Sequence, residues 1–260
     1  MKPHSKEWYL RLATLQRGYY YPWKSYLPPM NGEDMYLEMV HELLTPEKDV
    51  LDAGCGHGEL TLLFAPMCRS ILGYDRVPAF IELAQQARLA QKVENARFIL
   101  WDSSEDVHGK PTIPAEDHSF DLLVSRRGPI NWIVDARRVA RPGAVLLQLN
   151  PMEVAAPPWN EELPEALRFA GPGEYTIRQS VERCLEKGGL RMQACWSFEV
   201  PEVFADPYQL YVFLSWGHTP DEAPSWEETH PILESIYARY GSAEGVSILH
   251  GRLLWRAVVP

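Results

Sequence analysis

Residues Val50 to Glu59 read VLDAGCGHGE, an apolar stretch that leads into an acid and then into glycines at alternate positions. The apolar residues are typical of a buried parallel strand. Glycine permits positive φ and has no Cβ to block close approach, so a glycine-rich loop after a strand offers main-chain N–H groups to a ligand. The stretch therefore predicts a strand followed by a loop that contacts a ligand.

The spacing of Gly54, Gly56 and Gly58 distinguishes two kinds of nucleotide site. A dinucleotide fingerprint reads Gly-x-Gly-x-x-Gly and places a pyrophosphate at a helix N-terminus. Here the glycines alternate, and Asp52 precedes them. A carboxylate at the strand tip repels a pyrophosphate and attracts a cation. The spacing disfavours a nicotinamide dehydrogenase. A glycine-rich turn without a ligand would not require an acid and three glycines at alternate positions directly after an apolar strand, so we disfavour it.

Acids also follow the next two predicted strands. Ser70–Asp75 reads as a second strand that ends in a carboxylate, and Pro78 then opens a helix. Arg97–Trp101 reads as a third strand, followed by Asp102. The carboxyl ends of parallel strands meet at the edge where open α/β folds bind ligands. We predict that Asp75 binds ribose hydroxyls; the alternative is that it caps the following helix.

These features resemble the class I, Rossmann-like, S-adenosylmethionine (SAM) dependent methyltransferases, whose acidic-x-Gly-x-Gly-x-Gly loop surrounds the methionyl end of SAM. The resemblance covers roughly residues 48 to 150, and includes a Phe-Asp-Leu-Leu-Val strand at 120–125 and an Arg-Pro-Gly turn at 141–143 before a fifth strand at 144–149. It implies that an acid after the third strand meets the adenine amino group. The SAM-binding residues that it implies are Asp52, Ala53, Gly54, Cys55, Gly56, Gly58, Asp75, Arg76, Asp102, Ser103 and Ser125.

The fold implied by the resemblance is α/β, with a seven-stranded, mostly parallel sheet, helices on both faces and an antiparallel last strand. The remaining sequence supplies elements for it: a helix over 130–140, an alternating strand over 190–200, and a helix from Asp206 through Trp216. Ser225 and Glu228 form a possible capping box for a helix that reaches Tyr240, and 246–259 reads as the last strand.

Length and composition fit one domain over 1–260, which the resemblance implies is a methyltransferase domain. With 46% hydrophobic residues the chain can bury a sizeable core. We expect an N-terminal helical and aromatic segment over 1–45, a SAM-binding half over 46–150, and a substrate-side half with an inserted loop over 151–260. The first segment could be a lid or a packed strap, and we expect most of its aromatic residues to pack on the core and one or two to reach the pocket. Those residues are Trp8, Tyr9, Tyr19, Tyr20, Tyr21, Trp23 and Tyr26.

The charge balance bears on the methyl acceptor. Lysine and arginine total 25 against 35 acids, a net charge of −10, which disfavours bulk nucleic acid. Ser125 to Pro129 stands where nucleic-acid amino methyltransferases carry Asn/Asp-Pro-Pro-Tyr/Phe, and no cysteine follows Pro151 as pyrimidine C5 methylation requires. Arg126 and Arg127 would suit an anionic small molecule.

We therefore expect a methyltransferase that acts on a small molecule. The alternatives are an RNA or protein methyltransferase and a SAM-binding module without transfer activity, and the sequence leaves the oligomeric state open. The predicted substrate contacts are Tyr21, Arg127, Asn131 and Trp132.

Other residues narrow the class of protein. The four cysteines form no Cys-x-x-Cys pair, and the histidines lack zinc-site spacing, so we predict no metal. No apolar run approaches the length of a membrane span and the N-terminus lacks a signal-like apolar region, so we expect a cytoplasmic protein with no membrane contact. A general base is needed only if the acceptor must lose a proton. The candidates for it are Tyr21, His108, Glu153 and His218.

Overall fold

The computed structural model describes residues 5–104, 110–169, 171 and 173–260. Within this part of the chain, seven strands form one sheet in the order β3-β2-β1-β4-β5-β7-β6. Neighbouring strands from β1 to β5 are parallel, whereas β7 runs antiparallel to β5 and β6. This confirms the predicted fold. The strands are β1 Asp49–Ala53, β2 Ser70–Asp75, β3 Ala96–Leu100, β4 Phe120–Arg126, β5 Ala140–Met152, β6 Met192–Phe204 and β7 Val246–Val258.

Helices lie on both faces of the sheet, and several begin at the residues that the sequence indicated. Helix α8 begins with the predicted capping box of Ser225 and Glu228, and Asp206 accepts a hydrogen bond from the Gln209 N–H at the start of α7. No described helix combines the length and apolar character that crossing a bilayer requires. The helices are α1 Lys6–Leu15, α2 Glu33–Leu43, α3 Glu59–Phe64, α4 Pro78–Ala90, α5 Ala136–Val139, α6 Ile177–Lys187, α7 Pro207–Leu214 and α8 Trp226–Tyr240.

The central strands are buried on both faces. Since successive side chains of a strand point to opposite faces, Val50 packs with Tyr36 of α2, while its neighbour Leu51 packs with Trp132. Leu147 and Leu146 of β5 divide between the same two clusters. Both faces are therefore occupied by core, and the carboxyl edge of the sheet is where these strands can meet a ligand.

The predicted helix over 130–140 is confirmed only in part, because its helical residues form two short pieces separated at Asp135. The chain instead forms a 3₁₀ turn at Asn131–Val134, the single turn of α5, and then strand β5, which begins at Ala140. Ala140, the last residue of the predicted helix, instead pairs with Phe120 of β4 in the sheet. Asp135 at the junction accepts hydrogen bonds from the Ile113 N–H and from Arg138. Long-range contacts thus interrupt the helix at Asp135 and end it at Val139.

Two other predicted elements end differently. Helix α7 stops at Leu214 and not at Trp216, and Gly217 follows with φ +80°. A Cβ on Gly217 would lie 2.4 Å from Trp8 Nε1, so the break in the helix makes room for the indole of α1. The strand predicted over 190–200 continues to Phe204 as β6, and its pairing with β7 shifts register between Met192 and Ala194. That bulge interrupts the predicted alternation.

Candidate functional site

A cavity of about 1720 Å³ opens at the carboxyl edge of the sheet. Small-molecule pockets usually measure roughly 300–1,000 Å³, so this one can hold a nucleoside-sized ligand and a second molecule. One side is formed by the glycine loop and the acids at the ends of β1, β2 and β3, and the other by residues around the ends of β4, β5 and β7. We call these the cofactor half and the acceptor half of the cavity.

The three glycines of the loop all adopt positive φ, +74° at Gly54, +56° at Gly56 and +83° at Gly58. A Cβ on Gly58 would lie 2.7 Å from the Phe98 ring and 2.8 Å from Ala84 Cβ, so this glycine permits close packing of the loop against β3 and α4. A Cβ on Gly56 would meet no atom within 4 Å. Gly56 therefore exposes bare main chain to the cavity, as the sequence predicts for a ligand-contacting loop.

Asp75, at the end of β2, holds the glycine loop in place. Its two carboxylate oxygens accept hydrogen bonds from the N–H groups of Gly56 at 3.0 Å and Val77 at 2.9 Å. Burial raises the pKa of this carboxyl, although both donors oppose that shift. Each oxygen keeps a further lone pair, and Asp75 borders the cavity. Val77 is the N-cap of α4 and no side chain caps the helix, so Asp75 holds the turn before α4 and does not cap it as the alternative proposed. The residue is also placed to accept hydrogen bonds from a ligand.

Asp52 is the most deeply buried of the acids in the cofactor half. Its side chain accepts a hydrogen bond of 2.6 Å from Thr61 Oγ1 on α3, and the residue is only 4% exposed. Burial raises the pKa of Asp52 to about 6. A cation in the cavity would compensate the cost of this buried negative charge.

Asp102 and Ser103 close the cofactor half beyond β3. Asp102 accepts hydrogen bonds from Ser104 N–H at 3.1 Å and Ser104 Oγ at 2.6 Å, and it lies 3.0 Å from Lys6 Nζ of α1. Ser103 Oγ lies 3.3 Å from Asn131 Oδ1. The first helix and the segment after β4 therefore meet at the third strand tip. Cys55 and Arg76 also border the cavity, Cys55 with a pKa raised by burial and Arg76 with its guanidinium carbon 5.5 Å from the Tyr9 ring centre.

Four of the predicted binding residues do not line the cavity. Ser125 is fully buried and donates a 2.7 Å hydrogen bond to the Ala53 carbonyl, which ties β4 to β1. Trp132 is fully buried in the core under the sheet, in the same cluster as Ala53, because the 3₁₀ turn directs it inward. Gly58 packs against Phe98. For these residues the structure indicates a structural role, which corrects the expectation that Trp132 contacts a substrate.

Aromatic residues of the N-terminal segment cover the cavity more extensively than expected. All of the predicted aromatic residues except Tyr26 border it, whereas Tyr26 forms a β-bridge with Val203. The rings of Tyr21 and Trp23 lie 4.8 Å apart, and each contacts Trp216, at 5.3 Å and 5.4 Å between centres. More of them thus reach the pocket than the one or two expected, although Trp8 is also buried in the core. We call the rings of Tyr21, Trp23 and Trp216 the aromatic wall. No local sequence pattern marks Trp216 as part of it.

Arginines surround one carboxylate in the acceptor half. Arg127, after β4, donates hydrogen bonds to Tyr21 Oη and to Glu33 at the start of α2. Arg126 Nη1 lies 3.7 Å and Arg252 Nη1 of β7 lies 3.9 Å from the same carboxylate group. The predicted contacts Tyr21 and Arg127 are thus brought together. Glu33 and Arg252 carry no signal in the sequence, because they are remote from the motifs.

Glu202 and His250 form a second pair that the sequence did not indicate. Glu202 on β6 is 5% exposed and accepts a 2.8 Å hydrogen bond from Trp23 Nε1 and another from Ser25. His250 Nε2 on β7 lies 2.6 Å from its other oxygen. Burial opposes ionisation of Glu202, but the contacts with His250 and Ser25 outweigh it and lower the pKa of the carboxyl. An imidazole held by a carboxylate can accept a proton.

The candidate bases are not all near the cavity. Tyr21 and His218 border it, and His218 Nδ1 is buried with no hydrogen-bond partner among the described residues. Glu153 instead accepts a 3.0 Å hydrogen bond from Ile177 N–H at the start of α6. His108 lies outside the described residues. Within the described chain, no group of three or more potential ligands is placed to hold a metal ion.

The comparison with protein families decides the class. A family model described as a methyltransferase domain matches residues 44–235, which include the glycine loop and all three strand-tip acids. The chain belongs to the class I SAM-dependent methyltransferases. This methyltransferase has the sheet order and the antiparallel strand that the resemblance implied.

Solved structures share the fold at low identity. A protein of unknown function from Deinococcus radiodurans R1 is 22% identical with a TM-score of 0.67, and the match covers 98% of this chain and all of that one. The geranyl diphosphate C-methyltransferase of Streptomyces coelicolor A3(2) is 12% identical, with a TM-score of 0.51 over 88% of this chain and 79% of that one. A (4+2)-cyclase, SpnF, also matches at 15% identity with a TM-score of 0.56, over 98% of this chain and 92% of that one. These matches show the fold and leave the reaction open.

A curated relative is the 23S rRNA (uracil(1939)-C(5))-methyltransferase RlmD of Enterobacter sp. strain 638, which is 30% identical over 111 residues. The match covers 42% of this chain and 23% of that protein, so this methyltransferase spans about a quarter of its relative's length. The shared stretch is too short to carry over the relative's activity.

Proposed function

We propose that this protein transfers the methyl group of SAM to a small-molecule acceptor. One observation carries the proposal: the cavity joins a glycine loop with open main chain at Gly56 to a second, separately walled half of aromatic and charged residues. Its volume of about 1720 Å³ accommodates donor and acceptor together. When bound, SAM would supply a methyl group on a sulfonium sulfur: an acceptor atom would form a bond to the methyl carbon, and S-adenosylhomocysteine would leave with the electron pair of the broken C–S bond.

The residues of the cofactor half match the groups of SAM. Asp75 would accept hydrogen bonds from the ribose hydroxyls, and Asp102 and Ser103 would border the adenine. Gly54 and Gly56 leave room for the methionyl end, beside the buried charge of Asp52. Charge-assisted hydrogen bonds are worth about 1.5–3 kcal/mol each, so the ribose contacts alone contribute a large part of the affinity.

The acceptor half supports positioning. The aromatic wall of Tyr21, Trp23 and Trp216 excludes water and orients a flat molecule, and Asn131 is held beside Ser103 at the border between the halves. Orientation of two reactants is worth on the order of 7–11 kcal/mol. His250, paired with Glu202, is placed to accept a proton if the attacking atom is an O–H or N–H.

An RNA methyltransferase is the second candidate, because the RlmD match covers 42% of this chain. Two observations count against it. The net charge of −10 opposes phosphate binding, and C5 methylation of uracil needs a reactive thiolate. Cys55 is the only one of the four cysteines that borders the cavity, and burial raises its pKa well above the ordinary value.

The test uses SAM labelled with tritium in the methyl group. The full chain is incubated with deproteinised small-molecule extract and, separately, with total tRNA and rRNA at moderate salt. We expect label to move into the small-molecule fraction and not into RNA. Label in RNA that a nuclease releases would support the second candidate, and intact SAM binding without transfer in any fraction would support a binding module.

A further inference from the structure

We infer that the acceptor half is built for a molecule with a carboxylate on a flat, apolar body, and that Arg127 and Arg252 bind this carboxylate. The inference rests on the proposed function for its biological meaning, but the binding site can be tested without turnover. It follows from the charges, burial and backbone conformation of the acceptor half.

Three arginines in the acceptor half approach a single sheltered carboxylate. Arg126, Arg127 and Arg252 all approach Glu33, whose side chain is 15% exposed. Arg126 has a second partner, Glu59, at 3.4 Å, but that carboxylate is 66% exposed to solvent. One sheltered carboxylate therefore faces three guanidinium groups, and buried charge is costly unless it is paired.

Arg252 shows the imbalance most clearly. Its side chain is 8% exposed, and its hydrogen bonds, at 2.7 Å and 2.6 Å, go to the neutral carbonyl and side-chain oxygens of Asn31. The nearest Glu33 oxygen is 3.9 Å from Arg252 Nη1. The carboxylate of Glu202 already contacts Trp23, Ser25 and His250. Burial and the charge of Arg127 lower the pKa of Arg252. An anionic ligand would relieve this cost.

Arg127 has a strained backbone conformation. Its φ is +59°, a left-handed conformation that is uncommon for a residue other than glycine, asparagine or aspartate. The strain is held by a 2.7 Å hydrogen bond from its N–H to the Leu149 carbonyl of β5. Strained residues of this kind cluster at functional sites. Here the strained turn directs the guanidinium into the cavity, against Tyr21.

The aromatic wall defines the rest of the ligand. The guanidinium carbon of Arg127 lies 5.4 Å from the Tyr21 ring centre, and the Trp23 and Trp216 rings continue the same surface. The planar guanidinium binds carboxylates in a bidentate manner and stacks on aromatic rings. A carboxylate joined to an aromatic or similarly flat group satisfies both features.

The probes are sodium benzoate and its neutral isostere benzamide, titrated into the full chain by calorimetry, with S-adenosylhomocysteine titrated into the same samples. We expect benzoate to bind at least about tenfold more tightly than benzamide, since each charge-assisted hydrogen bond adds that much or more. Arg127→Gln and Arg252→Gln should each remove most of this preference. Arg97→Gln, an exposed arginine of β3 outside the cavity, makes the same change in net charge and should leave it intact.

The inference is overturned by any of three results: equal affinity for benzoate and benzamide, an unchanged preference in the cavity variants, or no binding of benzoate up to about 10 mM. If a glutamine variant unfolds, the lysine variant at the same position replaces it; it keeps the charge but loses the planar guanidinium and should still lower the preference. Binding of S-adenosylhomocysteine without benzoate would overturn this inference and leave the proposed function standing. Failure of S-adenosylhomocysteine alone would count against the proposed function only.

Discussion

The two halves of the cavity are built in different ways. In the cofactor half, the ligand-contacting loop is formed by positions close in sequence, since its three glycines are spaced two residues apart. The N–H groups of Gly54 and Cys55 both donate to the Tyr74 carbonyl at 2.9 Å. In the acceptor half, Arg127 and Tyr21 are 106 residues apart, and Arg252 and Asn31 are 221 apart. One half is main chain shaped by glycine, and the other is side chains gathered by the fold.

This contrast implies that the halves respond differently to substitution. Main chain at Gly54 cannot move without shifting β1 and β4, whereas single side chains of the acceptor half can change with smaller effects. The changes below separate the halves by measuring S-adenosylhomocysteine for the cofactor half and benzoate for the acceptor half.

Gly54→Ala should have the largest effect. Its φ is +74°, and its Cβ would lie 2.7 Å from Pro129 Cδ and 3.2 Å from Gly128 Cα. We expect affinity for S-adenosylhomocysteine to fall at least about 100-fold by calorimetry, since the clash adds to the cost of the left-handed conformation. Gly143→Ala is the control, with φ +82° and no atom within 4 Å of the new Cβ, remote from the cavity. Equal losses in both variants would show that strain alone acts.

Asp75→Ala should come next. It removes the acceptor of the Gly56 and Val77 N–H groups and the proposed ribose contact. We expect S-adenosylhomocysteine affinity to fall about 10- to 100-fold. The ribose contribution can be isolated with 2′-deoxy-S-adenosylhomocysteine, which should lose affinity for the wild type but not for the variant. An equal loss in both proteins would argue that Asp75 only holds the loop.

Asp52→Asn should weaken binding in the cofactor half and raise the stability of the ligand-free protein. Because burial raises the pKa of Asp52 to about 6, the folded state binds this proton more tightly than the unfolded state, and the stabilisation present below pH 4 is lost as pH rises to about 6. We expect the variant without ligand to be more stable than wild type at pH 7.5 by about 1–3 kcal/mol, and equal to it near pH 4. Urea unfolding at both pH values measures this difference. A variant that is less stable at pH 7.5 would refute the burial cost.

Tyr21→Phe should have the smallest effect and should act on the acceptor half alone. It removes the phenol that accepts from Arg127 and keeps the ring against Trp23 and Trp216. We expect benzoate affinity to change only about two- to fivefold and S-adenosylhomocysteine affinity to stay the same. A large loss of S-adenosylhomocysteine binding would mean that the two halves are not independent.

The same contrast explains what the sequence could predict. The strand, acid and glycine pattern of 50–59 is local, so it indicated a strand followed by a ligand-contacting loop. Together with the acids after the next two strands it carried the family resemblance, which implied the sheet. The helix over 130–140 is broken at Asp135 and ends before Ala140, because the contacts of Asp135 with Ile113 and of Ala140 with Phe120 are long-range and local periodicity does not contain them. Glu33, Glu202, His250 and Arg252 were missed for the same reason, since nothing near them in sequence marks them as cavity residues.

The central claim is that the glycine loop of the cofactor half binds SAM. Calorimetric titration of SAM into the full chain tests it most directly, with NAD as the competing dinucleotide. The account predicts one site with a dissociation constant on the order of 1–100 μM for SAM and no measurable binding of NAD. No heat of binding for SAM, or binding of NAD in its place, would contradict it.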